Sequence, residues 1–261
     1  MQNILVSGSK SGLGRYCCEK LQAQGLHRGS HWQDMGRDGK VLDAIVHCAW
    51  NTDTNTMKNN FQQYLADTLI LTEKLLALPA HRFVFISTID VYPQDHTTVY
   101  KEDDIIDISQ IKTVYGQIKY LTEQYIQSKI PQSLIIRPSA LLGPYSRPNS
   151  LIKLLTYEQP VLSLASQSTF NYVLHADLVK FIQYALEREL TGIYNFVAKD
   201  NITLQEVADH HQKIASFGEY EYQTQNINSD KINVLIPECL KTSAQVIQEF
   251  IKNMNQAKVE S

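Results

Sequence analysis

Apolar residues follow two alternating rhythms along the chain. Residues 3–7 (NILVS), 42–49 (LDAIVHCA), 82–87 (RFVFIS), 133–136 and 192–197 are short, nearly continuous apolar runs, the pattern of strands covered on both faces. Between and after them, residues 13–24, 62–78, 114–129, 177–187, 204–215 and 243–254 space their apolar side chains as helices do. Strands that alternate with helices and have no polar face predict an α/β fold, a doubly wound parallel sheet of the Rossmann type. Residues 25–40 are rich in Gly, His and Asp and weakly periodic, so a loop with at most a stunted strand is expected there.

Past Arg137-Pro138 the rhythm loosens. Gly143-Pro144 and Arg147-Pro148 mark turns before a helical run at 150–156. A small C-terminal substrate-binding lobe is expected to begin here. The predicted division is residues 1–143 plus about 170–197 for the dinucleotide-binding domain, and 144–169 plus 198–261 for the lobe.

Composition narrows the function classes. A net charge of −3, from 24 basic and 27 acidic residues, is spread along the chain with no basic block interleaved with aromatics, so no nucleic-acid partner is expected. No apolar run approaches the roughly 20 residues that cross a bilayer, and the expectation is a cytoplasmic protein with no membrane partner. Cys17, Cys18, Cys48 and Cys239 lack metal-ligand spacing and read as buried small side chains, so no metal site is expected.

Candidate chemistry lies where strands end. Gly8, Ser11, Gly12, Leu13 and Gly14 fall between the first strand and the first helix, where bare backbone can approach a pyrophosphate and the helix N-terminus favours its charge. Asp34 lies at the distance where an acidic residue binds a ribose, but Arg28 and Arg37 share that loop, so NAD and NADP both stay open. Tyr115 and Lys119 are four apart on one helix face. Thr88 follows a buried strand at the sheet edge that carries the glycine turn.

Together, Gly8/Gly12/Gly14, Ser87-Thr88, Tyr115 and Lys119 resemble the short-chain dehydrogenase/reductase superfamily. The phrases Ser87-Thr88-Ile89-Asp90-Val91-Tyr92, Tyr115-Gly116-Gln117-Ile118-Lys119, Arg137-Pro138 followed by Gly143-Pro144, and Tyr172-Val173 leading to Asp177-Leu178 resemble its extended branch, the nucleotide-sugar epimerases, dehydratases and reductases. The resemblance implies an NAD(P)-dependent 4-keto reductase or 4-epimerase of a nucleoside-diphosphate sugar, working as a homodimer. It implies Tyr115 as acid/base, its phenolate favoured by Lys119, with Thr88 holding the substrate oxygen. It places Gly8, Ser11, Gly12, Leu13, Gly14, Ala49, Ser87, Tyr115, Lys119, Arg137 and Pro138 against the cofactor, and Thr88, Asp90 and Arg147 against the substrate. Ile89 stands where the dehydratases carry an Asp, which disfavours elimination of water, and Phe170 stands where relatives often use an Arg on the diphosphate. The rival expectation is a catalytically inactive dinucleotide-binding regulator or scaffold of the same fold.

Overall fold

The computed structural model describes residues 3–30, 41–95 and 97–259, with side chains to residue 256. Asp34 and Arg37 lie outside the described residues. Among those described, six strands form one parallel sheet: β1 (Ile4–Ser7), β2 (Gln24–Leu26), β3 (Leu42–His47), β4 (Ala80–Ile86), β5 (Leu134–Pro138) and β6 (Gly192–Phe196), in the order β6-β5-β4-β3-β1-β2. The chain winds outward from β1 in one direction and from β3 in the other, so the order reverses between these two strands. In open α/β sheets ligands bind at that reversal, beyond the carboxyl ends of the strands.

Alternate residues of each strand feed two separate cores. Ile4, Val6, Val46, Val84, Ile86 and Ile136 pack against the Gly12–Leu21 and His175–Glu187 helices. Leu5, Ile45, Phe83, Phe85 and Ile135 face the other way, towards Leu75 and Ile126. The near-continuous apolar runs are thereby accounted for, because a strand covered on both sides has no residue to spare for water.

The helix expected at 62–78 is present but composite. Phe61–Leu65 runs through a π-helical turn at Ala66–Ile70 into Leu71–Leu76. Thr68 and Thr72 each return a hydroxyl hydrogen bond to the carbonyl four residues back, on Tyr64 and Thr68, at 2.7 and 2.8 Å. The helix expected at 204–215 is shorter, Leu204–His210, and stops where Gln212 takes a left-handed φ of 51°. Ala215 and Phe217 still reach the apolar cluster beyond the sheet, carried there by an extended segment whose Ser216 bridges Val161.

That cluster joins Leu142, Leu151, Leu154, Leu162, Tyr172, Leu204, Val246 and Phe250. It forms a further core beyond the two that cover the sheet. No helix among the described residues is long and apolar enough to cross a membrane, and no group of side chains there could hold a metal ion.

Candidate active site

Three strand ends and one helix start build the cleft. After β1 the chain turns through Gly8 to Gly14 into the Gly12–Leu21 helix. A Cβ on Gly14 would lie 2.3 Å from the Gly8 carbonyl oxygen, so only glycine lets the helix start this close to the strand. Ser11 caps the helix with extended backbone and no side-chain bond, and the first turn carries no acidic residue. Its N–H groups are thus left to an anion, favoured by the helix dipole. Ser87 at the end of β4 adds a buried hydroxyl with no partner. A bare helix start and a turn held tight by Gly8 and Gly14 fit the pyrophosphate end of a dinucleotide, and the orphaned Ser87 hydroxyl lies two strands along the same edge.

A buried line of hydrogen bonds fixes the loop after β3. The Ala49 N–H donates to Ser7 Oγ at 3.1 Å, which lies 2.7 Å from His47 Nδ1, and His47 Nε2 lies 2.9 Å from Thr72 Oγ1. Thr72 spends its own proton on the Thr68 carbonyl, so it accepts from His47 Nε2–H. Ser7 must therefore donate to Nδ1. Burial, with Lys119 nearby, pushes the His47 pKa down to about 3, which keeps the ring neutral as this arrangement requires.

This loop delivers Ala49 and Trp50 to the cleft. Trp50 was not anticipated as a site residue, yet its ring lies 4.0 Å from Lys119 Nζ, meets the Tyr115 ring edge-on at 6.4 Å, and donates from Nε1 to the Tyr64 hydroxyl at 3.3 Å. The sequence signal for it is only its place just past a strand's carboxyl end.

The Val114–Lys129 helix starts at Thr113, whose hydroxyl accepts from the Gly116 N–H at 3.0 Å. A Cβ on Gly116 would lie 2.2 Å from the Asp90 carbonyl oxygen, so a glycine there lets the helix sit on the turn after β4. This approach brings Tyr115 close enough to Thr88 for the threonine hydroxyl to pull the Tyr115 pKa down. Thr88 also caps the short Ile89–Val91 turn, and its hydroxyl donates to Asp90 Oδ2 at 3.2 Å.

Lys119 is 3% exposed and donates to the Ile86 carbonyl at 2.6 Å, with the Trp50 and Phe85 rings over its ammonium. Burial, opposed by Glu123 and Cys48, brings its pKa down to about 7. Tyr115 differs from expectation: its pKa is raised, first by burial, then by the charge of Asp90 and by Tyr64, with only Thr88 pulling it down. The phenol holds its proton.

Tyr115 and Lys119 lie on either side of Trp50 at the carboxyl end of β4, close to Thr88, and Ala49 lies against Gly8 of the glycine turn. Leu13 packs into the core beneath the turn. Arg137 corrects the reading that gave it to the cofactor. It is 1% exposed and saturated by Glu123, bound at 2.7 to 3.2 Å, and by the Tyr92 hydroxyl at 2.8 Å. Pro138 lies buried at the same strand end. Arg28, in the loop expected to choose the cofactor, pairs with Asp67 at 2.7 Å.

Asn51, Thr52, Asp53, Thr54, Met57, Tyr64 and Tyr115 line a cleft of about 240 Å³. Arg147 reaches its rim and donates to Thr52 at 2.7 Å. Tyr222, also unanticipated, comes in from the segment after the Leu204–His210 helix and donates to Asp90 Oδ1 at 3.4 Å.

Comparison with known proteins adds to this geometry. The family model described as RmlD substrate binding domain matches residues 2–239. The spore coat polysaccharide biosynthesis protein SpsK of Bacillus subtilis (strain 168) is 27% identical over 163 residues, 55% of this chain and 54% of that protein, so the chain spans about half the length of this curated relative. The UDP-glucuronic acid 4-epimerase from Bacillus cereus, solved with UDP-glucuronic acid and NAD, is similar at a TM-score of 0.79 and 17% identity, over 97% of this chain and 100% of that one. The dTDP-4-dehydrorhamnose reductase from Yersinia enterocolitica gives 0.75 at 17%, over 96% and 100%. At such identities the likeness is one of fold.

Proposed function

From a chain that belongs to the RmlD substrate binding domain family, within the extended short-chain dehydrogenase/reductase superfamily, we propose a reductase that delivers a hydride to the 4-keto group of a nucleoside-diphosphate hexose. The observation that carries this reading is the gathering of Tyr115 and Lys119 around Trp50 at the carboxyl edge of the sheet, with Thr88 close enough to Tyr115 to act on its pKa. NAD is the dinucleotide the reading takes, since solved proteins of this fold bind it. When bound, it supplies or accepts the hydride. Ser11, Gly12 and Gly14 would hold its pyrophosphate end, with Ser87 and Lys119 towards the ring end.

The chain's own residues manage the oxygen. Thr88 holds the keto oxygen by a hydrogen bond and keeps it against Tyr115. Tyr115 gives that oxygen its proton as negative charge develops there, and a phenol held protonated by burial and by Asp90 is suited to donate. Trp50 and Phe85 keep water from Lys119, and at a pKa of about 7 its charge responds to what binds beside it. Arg147, at the rim, is placed to pair with a phosphate of the substrate nucleotide. The lobe formed by 144–169 and 198–261 closes the sugar side, and we propose the division of the chain on that basis.

The test incubates purified protein and reduced cofactor, NADH or NADPH, with dTDP-4-dehydrorhamnose and with 4-keto forms of UDP sugars. Loss of one reduced cofactor per product is the expected result. Epimerised sugar without net loss of cofactor would make the protein an epimerase, and cofactor binding without any turnover would make it a dinucleotide-binding scaffold.

A further inference from the structure

Two thiols meet behind the glycine turn. Cys17 sits on the Gly12–Leu21 helix, and Cys48 follows β3 immediately before Ala49. Cys48 Sγ donates to Cys17 Sγ at 4.0 Å; Cys17 is buried and Cys48 is partly open to solvent. Cys18 faces β2, where its Sγ would lie 3.4 Å from a Cβ on Gly25. A disulfide holds its sulfurs at about 2.05 Å, so about 2 Å of closure separates Cys17 and Cys48 from a bond. Neither wall gives that distance freely. Ala49 donates its N–H to Ser7 Oγ at 3.1 Å and lies so close to Gly8 that a Cβ there would come within 3.0 Å of its N and Cα. The helix start already touches the strand end, through Gly14 against the Gly8 carbonyl. Drawing the two cysteines together therefore presses Ala49 and the helix onto the turn from Gly8 to Gly14.

We propose that Cys17 and Cys48 are a reversible disulfide site whose closure distorts the glycine turn and weakens its hold on the dinucleotide. The proposal rests on the reading of that turn as the pyrophosphate site. With hydrogen peroxide as oxidant the step balances. The Cys48 sulfur attacks one peroxide oxygen, the O–O bond breaks, and a sulfenic acid forms as the released hydroxide takes the Cys48 proton and leaves as water. The Cys17 sulfur then attacks the Cys48 sulfur, the S–O bond breaks, and the departing hydroxide takes the Cys17 proton as a second water. Two thiols lose two electrons and one peroxide gains them. A small thiol reverses the bond by exchange. The order follows from the surroundings: the hydrogen bond from Cys48, and then burial, raise the Cys17 pKa, so the helix thiol resolves the sulfenic acid and does not start the reaction.

The experiment oxidises the purified protein with hydrogen peroxide, reads its intact mass and titrates NADH and NADPH by fluorescence. The expected product has lost two hydrogens, regains them with dithiothreitol, still forms in Cys18→Ala and does not form in Cys17→Ala or Cys48→Ala. Should the buried Cys17→Ala fail to fold, Cys48→Ala at the partly open position decides. In the disulfide form the Kd for the cofactor should rise about tenfold or more. Linkage makes the effect reciprocal, so in a glutathione redox buffer saturating cofactor should disfavour the bond by the same factor. Oxidation that stops at a sulfenic or sulfinic acid, a bond that needs Cys18, or a disulfide form that holds cofactor as tightly as the reduced one would overturn the proposal. Reduced protein that binds neither NADH nor NADPH would instead bring down the dinucleotide reading, and this consequence of the disulfide with it.

Discussion

Two cations are buried within a few residues of one another's partners, and the protein treats them in opposite ways. Arg137 on β5 meets Glu123 bidentately and a phenol besides, and its pKa is raised. Lys119, one helical turn before Glu123, has a carbonyl and two aromatic faces but no carboxylate bonded to it, and its pKa falls to about 7. A buried charge that is fully paired is part of the scaffold, and one left short of partners is poised to change. The contrast separates structure from chemistry within a single patch.

The sharpest way to break this contrast is to strip the scaffold cation of its partner. Glu123→Gln should cost about 3–5 kcal/mol of unfolding free energy, because it leaves Arg137 buried and uncompensated; denaturant melts that overlay the wild type would refute the assignment. Lys119→Met should go the other way in stability while abolishing turnover. The native state prefers neutral Lys119, so between the unfolded pKa near 10.5 and the folded value of about 7 the unfolded chain binds the extra proton, and stability falls as pH drops through that window. The slope contributes about 1.4 kcal/mol per pH unit at most, and Lys119→Met should lose it; an unchanged pH profile would show that the lysine is not buried in solution. The smallest effect concerns a third cation, Arg147, which is exposed to the cleft rim. Arg147→Ala should raise KM for the sugar nucleotide roughly tenfold and leave cofactor affinity, followed by titration, where it was.

Legibility followed sequence distance and periodicity. The sheet strands and the helix Val114–Lys129 could be read because each repeats one rhythm over a whole element; Gly8 and Thr88 stood out because they follow strands, and Tyr115 and Lys119 by their spacing on one helix face together with the family resemblance. Arg137, placed against the cofactor by the family resemblance alone, is instead held by Glu123, fourteen residues earlier in the chain, a pairing that no local pattern announces. The 204–215 helix was read too long because Ile214 and Ala215 continue its apolar spacing, although Ile214 ends up exposed. Trp50 and Tyr222 stayed invisible for a different reason: each acts through partners more than sixty residues away in sequence, Lys119 for one and Asp90 for the other, and no periodicity encodes such a meeting.

The row from Ala49 through Ser7 and His47 to Thr72 has a consequence for how this sheet can evolve. Ser7, His47 and Thr72 each give one hydrogen and receive one, so the row has a single direction, started by the Ala49 N–H and set at the far end by a carbonyl in the π turn. A replacement that could only donate, or only accept, would leave two neighbours facing each other with like groups in a place water does not enter. Ser7, His47 and Thr72, scattered over three elements, therefore form one unit of substitution, and the aromatic roof over Lys119 hangs from it.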